Sequence, residues 1–193
     1  SKAISEINAD DGIKALILTG AGRSFCSGAD LAEQPYGTDK NQPGISRAEH
    51  ITPFVSFGWV IKQIEDFTKP VIAAVNGIAA GGGLALALAA DMRIASENAA
   101  FSAIFVKRGL VPDCGVSYYL PRLVGVSKAL ELMWTGDKID AKEAERIGMV
   151  NKVVPHDHLM KSAREFAQGL AKGPSLAIAM IKRMAYTALK ADS

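Results

Sequence analysis

The stretch from Lys69 to Leu86 carries an apolar, partly β-branched run, then Gly81-Gly82-Gly83, then a strongly helix-forming alanine/leucine segment. This order predicts a buried strand feeding a tight turn at a helix N-terminus. Unpaired N–H groups and the helix dipole attract negative charge at such a turn. Residues without a Cβ let a ligand atom approach the main chain closely. Ser24-Phe25-Cys26-Ser27-Gly28-Ala29-Asp30 is a second candidate donor segment, following an earlier apolar run. Two such segments at the ends of adjacent strands can point two N–H groups at one oxygen. That is the geometry of an oxyanion hole, in which each well-placed donor contributes roughly 3–4 kcal/mol to a transition state. Either segment alone is weak evidence, and a lone triple glycine more often serves ordinary turn and packing needs.

Side chains able to move a proton or attack a carbonyl are few. Asp113, taken by itself, reads as an N-cap for a helix over 115–123. Asp30 reads as a cap for the helix expected after it, and Asp91 as the partner of a local backbone group. His50, His156 and His158 read as solvated. Cys114 adjoins Asp113 with no histidine partner in evidence and reads as pocket lining. Phe105, Val106 and Tyr118 or Tyr119 suit either an apolar acyl pocket or the core. Cys26 and Cys114 are the two cysteines and show no metal-ligand spacing, so no metal site is expected.

The elements that must position these groups follow from apolar runs and turn residues. Lys14 to Gly20, Pro70 to Asn76 and Met92 to Ala95 read as compact strands buried on both faces. Ala99 to Ala103 and Asn151 to Val154 read as shorter strands. Gln34 to Ser46 is polar, with proline and glycine, and reads as a mobile loop. Phe54 to Phe67 reads as an amphipathic helix with Phe57, Ile61 and Ile64 on one side, and Lys107 to Cys114 as a loop. Ser127 is expected to cap a helix over 128–134. Asp140 is expected to cap one over 141–147 that Gly148 stops. Two final helices are expected over 158–171 and 174–190. Strands alternating with helices, then a helical tail, predict an α/β core followed by an α-helical C-terminal region. The division expected is 1–125 for the core and 126–193 for the helical region.

The chain has 193 residues, 49% of them hydrophobic and 22% charged, which excludes a disordered polymer. Lys plus Arg number 22 against 20 Asp plus Glu, so no charge excess recruits nucleic acid or an anionic membrane. Ser1 to Glu6 carry no apolar h-region, and the apolar run Leu84–Ala90 is too short to span a bilayer. With so few cysteines, a reduced cytoplasmic setting is expected. Ile4 and Ile7 on a first helix and an uncovered apolar stripe on the last lead us to expect flanking segments beyond both ends.

Taken in order, several motifs closely resemble the crotonase (enoyl-CoA hydratase/isomerase) family. They are Ser27-Gly28-Ala29-Asp30-Leu31, Lys69-Pro70-Val71-Ile72-Ala73-Ala74-Val75-Asn76-Gly77 with Gly81-Gly82-Gly83, and Gly109-Leu110-Val111-Pro112-Asp113. Leu132-Met133-Trp134-Thr135-Gly136, Ala141-Lys142-Glu143-Ala144 and Gly148-Met149-Val150 are similar to it as well. The resemblance covers about Lys14 to Lys190. It implies a ββα spiral core, an α-helical trimerisation region, and assembly as a homotrimer or dimer of trimers. It also implies an acyl-CoA thioester substrate, with coenzyme A entering as part of the substrate and no separate cofactor. The thioester oxygen would accept hydrogen bonds from the N–H groups of Ser27 and Gly82. Ala29 and its neighbours, with Asp30, Gly81 and Phe105, would line the CoA and acyl path. Arg23 would lie near the CoA phosphates, or else stand as a solvated charge.

In the carboxylates the chain departs from the resemblance. Family hydratases carry two glutamates, and the matching positions here are Ala85 and Phe105, which transfer no proton. Adding water across a double bond needs one group to activate the water and one to deliver a proton. Asp113 stands where some family isomerases place a catalytic aspartate, and a single base suffices for a 1,3-proton shift. Enoyl-CoA isomerisation with Asp113 as acid/base is therefore the leading expectation. The alternatives are hydration, thioester hydrolysis or dehalogenation at the same site, and a catalytically silent acyl-CoA-binding protein. A dinucleotide-binding protein fits poorly, because these glycines are contiguous rather than spaced G-x-G-x-x-G.

Overall fold

The structure is a computed structural model that describes residues 2–29 and 58–191. Asp30, His50, the loop expected over 34–46 and the first turn of the helix expected over 54–67 lie outside the described residues. Four strands, β1 (Leu16–Thr19), β2 (Val71–Val75), β4 (Met92–Ser96) and β7 (Lys152–Val154), form a parallel sheet in the order β1-β2-β4-β7. A second sheet contains β3 (Ile78–Ala80), β5 (Ala100–Ser102) and β6 (Lys138–Asp140). In it β3 and β5 run parallel, while β5 and β6 run antiparallel.

Strand β2 is buried at every residue because both of its faces are covered. Val71, Ala73 and Val75 join the main core, whereas Ile72 and Ala74 join a second cluster with Ile94, Val154, Leu159 and Ala163. That alternation is the period-2 geometry of a strand between two layers. Helix α7 (Leu159–Ala171) supplies the second layer and packs on β1, β2 and β4. On the other side lie α1 (Lys2–Ala9), α2 (58–65), α3 (Gly82–Ala89), α4 (Val116–Val124), α5 (Val126–Thr135) and α6 (Ala141–Arg146). Ile4 and Ile7 of α1 and Ile61 and Ile64 of α2 face this core, as their spacing predicts. Helix α8 (Ser175–Ala191) leaves Leu176 77% and Met184 67% exposed, matching the uncovered stripe expected of it.

Several local readings need correction. β1 is half-buried rather than buried, because it is the edge of its sheet among the described residues. β2 does not feed the glycines directly: Asn76 and Gly77 turn the chain into β3, which belongs to the other sheet. Part of the loop expected over 107–114 is a 3-10 helix, Ile104–Arg108. Ser127 lies within the first turn of α5, whose N-cap is Gly125, so it caps nothing. Asp140 does cap α6, accepting the Glu143 N–H at 2.8 Å. β6 escaped the sequence because Lys138-Ile139-Asp140 has too little apolar content to read as a strand, and β5 recruits it by pairing.

Gly83 sits where α3 meets the 24–28 segment. A Cβ built on it would lie 1.9 Å from the Cys26 carbonyl oxygen, which is backbone and cannot yield. Gly83→Ala is therefore expected to destabilise the fold by about 3 kcal/mol or more, the scale of severe overpacking. Gly169 lies inside α7, and a Cβ there meets nothing within 4 Å. Gly169→Ala is expected to stabilise by about 0.5–1 kcal/mol. Urea denaturation of the two variants beside the parent measures both effects.

Candidate active site

The two glycine-bearing segments come together. Phe25 and Cys26 both donate their N–H to the Ile78 carbonyl at 3.0 Å, and the Ala80 N–H returns a bond to the Cys26 carbonyl at 3.0 Å. Cys26 pairs with Ala79 as a single parallel bridge, which sets the 24–28 segment beside β3. Gly28 has φ of +92°, and a Cβ on it would lie 3.3 Å from the Gly82 nitrogen. The main chain at Ser27-Gly28 thus touches the start of α3, and a side chain at Gly28 would intrude between them.

Which N–H groups remain available follows from these bonds. The Cys26 N–H is taken by Ile78 and the Gly81 N–H by the Ser102 carbonyl at 3.1 Å. The Ala85 N–H closes the first turn of α3 onto the Gly81 carbonyl. Neither the Ser27 N–H nor the Gly82 N–H has an acceptor among the described residues. Gly82 is the first residue of α3, so its N–H is one of the helix's orphan donors at the positive pole. Two neighbouring unclaimed N–H groups suit one oxyanion.

Asn76 holds the first segment in place, a role that its presence in a strand-ending motif did not reveal. It is buried, its Oδ1 accepts the Gly20 N–H at 3.1 Å, and its Nδ2 donates to the Gly22 carbonyl at 2.9 Å. One amide side chain from the end of β2 thereby braces the turn leading to Ser27. The available signal was a polar residue ending a fully apolar strand, where burial demands partners.

Asp113 stands in the turn before α4, half-buried, with its carbonyl accepting the Val116 N–H at 3.1 Å. The N-cap of α4 is Gly115, and no side chain caps that helix, so the capping alternative for Asp113 is not what is found. α4 packs on α3, the helix that begins at Gly82. Cys114 adopts φ of +52°. Burial pushes its thiol up to about 12, and the Asp113 carboxylate adds to the shift as a hydrogen-bond acceptor and as a negative charge. The thiol is therefore held protonated and is no nucleophile at neutral pH.

The remaining residues fall as follows. Phe105 is buried in the 3-10 helix and packs in the main core, and Ala85 is fully buried in α3. Gly81 is the N-cap of α3 at φ of +53°. Arg23, Ser27 and Ala29 are exposed. His158 is exposed, and the exposed His156 places Nδ1 3.0 Å from the Ser96 hydroxyl. Asp91 differs from its expected local role: it accepts the N–H of Val71 at 2.7 Å, Lys182 Nζ at 2.7 Å and the Tyr186 hydroxyl at 2.9 Å. Tyr118 and Tyr119 line a cavity of about 450 Å³ with Leu88, Phe166, Ile178 and Tyr186. None of Ser27, Gly82, Phe105 or Asp113 borders that cavity. Among the described residues no group of three His, Cys, Asp or Glu could hold a metal ion, and no helix is long and apolar enough to cross a membrane.

The sequence pattern of a known family, described as enoyl-CoA hydratase/isomerase, matches residues 1–193. The chain belongs to the enoyl-CoA hydratase/isomerase family. It is 37% identical to the 1,2-epoxyphenylacetyl-CoA isomerase of Escherichia coli, over 95% of this chain and 68% of that protein. It is 40% identical to the crotonyl-CoA hydratase of Syntrophomonas wolfei, over 98% of this chain and 70% of that protein. A monofunctional enoyl-CoA isomerase from M. smegmatis superposes with a TM-score of 0.81 at 39% identity, covering 100% of this chain and 79% of that one. The α/β fold is accordingly the crotonase fold, and the chain is an enoyl-CoA hydratase/isomerase-type protein whose relatives are named for both reactions.

The raised thiol yields a direct check. In the folded protein Cys114 should resist iodoacetamide at pH 8, and after unfolding in urea it should be alkylated at the rate of a free thiol. Peptide mass spectrometry resolves Cys114 from Cys26. Rapid native alkylation of Cys114 would contradict a thiol held near 12.

Proposed function

We propose that this chain isomerises an enoyl-CoA thioester, with Ser27 and Gly82 as the oxyanion hole and Asp113 as the single acid/base. The observation that carries the reading is the pairing of two unclaimed N–H groups at the touching segments 26–28 and 80–82. A thioester oxygen seated there gains charge when a proton leaves the α-carbon, and two unclaimed donors stand ready to donate to it. The Asp113 carboxylate takes that proton, and the released electron pair spreads through a dienolate onto the oxygen. The same group, now a carboxylic acid, delivers the proton to the γ-carbon. The double bond ends one position nearer the thioester with no co-reactant consumed. Ala29, Gly81 and Phe105, with Arg23 and Asp30, form the proposed path for the CoA and acyl portions, and the protein works as a trimer or dimer of trimers.

Ala85 and Phe105 favour this over hydration. Neither can polarise water, so the two-carboxylate route is closed at those positions. The name of the M. smegmatis relative, a monofunctional enoyl-CoA isomerase, supports the double-bond shift, and the E. coli relative is named an isomerase of a different acyl-CoA. The name of the S. wolfei relative keeps hydration as the second reading.

Side-by-side assays of 3-enoyl-CoA isomerisation and crotonyl-CoA hydration separate the two. The expected result is isomerisation exceeding hydration, with Asp113→Asn lowering isomerase kcat by about 10³-fold or more and leaving acyl-CoA affinity within a few-fold. Full turnover in Asp113→Asn would overturn the assignment, and dominant hydration would overturn the reaction. Acyl-CoA binding measured by calorimetry without turnover of either substrate would instead mark a silent binding protein.

A further inference from the structure

Helix α3 presents Gly82 at one end, and at its other end it meets a buried cation. Arg93, 3% exposed, lies in β4, two residues beyond Asp91. Its Nη1 donates to the Ala90 carbonyl at 2.6 Å and lies 3.4 Å from the carbonyls of both Ala87 and Leu88. Its Nε donates to the Met149 carbonyl at 2.7 Å. The backbone of Arg93 is fixed as well, because its N–H bonds to Asn151 Oδ1 at 2.8 Å and its carbonyl accepts the Asn151 N–H at 2.9 Å. A guanidinium therefore replaces water as the partner of the last carbonyls of an eight-residue helix.

The charges around Arg93 do not cancel it. Asp91 is the anion that acts directly on Arg93, and it is paired with Lys182, whose side chain is 10% exposed, while Glu65 acts on the neighbouring Tyr186. Arg93, Asp91 and Lys182 together carry one net positive charge at the carbonyl end of α3. Burial lowers the pKa of the guanidinium, while Tyr186 and Asp91 act in the opposite direction. An arginine starts so far above neutrality that it stays charged.

We propose that Arg93 is a positioning residue for the oxyanion hole, acting through α3. This rests on the reading of Gly82 as an oxyanion donor. The guanidinium closes the carbonyl end of the helix, so the helix axis and the Gly82 N–H keep one direction. It also covers the negative pole of the helix, leaving the positive pole to act on the bound oxygen without opposition. Eight residues span about 12 Å. At an effective dielectric of about 20, a unit charge at that range changes the energy of an oxyanion by an amount equal to about a tenfold rate change.

The test reads the field at the thioester carbonyl as well as turnover. Infrared difference spectra are taken of a saturated acyl-CoA, isotopically labelled at that carbonyl, bound to the parent and to two variants. In the parent the carbonyl stretch should fall on binding as the donors polarise it. Arg93→Met should show a smaller fall, with isomerase kcat down about tenfold and KM within about twofold. Asp91→Asn should show a larger fall than the parent, because it leaves Lys182 unopposed. A purely architectural role predicts equal or smaller falls in both variants. A folded Arg93→Met with the parent's stretch and kcat would overturn the proposal, as would an Asp91→Asn fall no larger than the parent's. If Arg93→Met does not fold, the sign of the Asp91→Asn change decides alone. A parent that binds the thioester with no fall at all removes the oxyanion hole itself, an outcome distinct from variants that merely match a shifted parent.

Discussion

Two stretches of main chain, 23–28 and 77–83, lie so close that no side chain fits between them. A Cβ on Gly77 would sit 2.0 Å from the Arg23 carbonyl oxygen, and one on Gly83 would sit 1.9 Å from that of Cys26. Both distances are far inside van der Waals contact, so glycine at these positions is a condition of the fold. The approach also lets the Ile78 carbonyl accept from Phe25 and Cys26 and the Cys26 carbonyl accept from Ala80, so the bonds across the gap claim these donors and leave those of Ser27 and Gly82 unclaimed among the described residues. The pair at Ser27 and Gly82 stays unclaimed once the packing is complete. A candidate site of this kind requires no flexible side chain to reach into place. Its donors are fixed before a ligand arrives, which is how electrostatic stabilisation avoids reorganisation at the moment of reaction.

That rigidity extends outward through buried polar groups. Asn76 at the end of β2 braces the turn ahead of Ser27, and Arg93 in β4 closes the far end of α3. Both are buried polar residues on central strands of the parallel sheet, next to one another in its order. Asp91 adds a tie between the start of β2 and α8 through Val71, Lys182 and Tyr186. Removing one partner of such a network leaves others buried and unpaired, which costs more than the bond itself contributes. The sheet is thus both the core of the fold and the mount of the two segments that carry the unclaimed N–H groups.

The parts of this arrangement legible in the sequence were those with a local signature. β2 reads from an uninterrupted apolar run, α6 from Asp140 as a cap and Gly148 as a stop, and the start of α3 from contiguous glycines ahead of Ala-Leu repeats. β3 was not legible, because Ile78-Ala79-Ala80 is short and could continue either β2 or the turn. Its sheet partners are Ala100–Ser102 and Cys26, both more than twenty residues away. Asp91 was misjudged for the same reason. An acidic residue after a helix suggests a neighbouring N–H, whereas its actual partners, Val71, Lys182 and Tyr186, are brought in by packing. The convergence of Ser27 with Gly82 was visible in outline from two glycine-bearing segments after two strands, whereas the choice of donors has no local signature and came only from the family resemblance. That choice depends on Ile78 and Ser102 having already claimed the N–H groups of Cys26 and Gly81.

The frame and the reaction depend on different atoms of the chain. Stabilising an oxyanion depends on main-chain atoms, so any sequence that preserves the glycine contacts preserves that capacity. Moving protons depends on side chains, which can change without disturbing the frame. Ala85 is fully buried and Phe105 nearly so, and both pack in the core. A carboxylate introduced at either place would have to be sheltered from the loss of its water, at a cost of several kcal/mol unless paired. The apolar packing at these positions is therefore a committed state, unfavourable to a second proton-transfer group. Asp113 occupies a different environment, a half-buried turn whose backbone serves α4 while its carboxylate is not consumed in capping. Chemistry that needs one mobile proton is compatible with this distribution of carboxylates, and chemistry that needs two carboxylates at the positions of Ala85 and Phe105 is not.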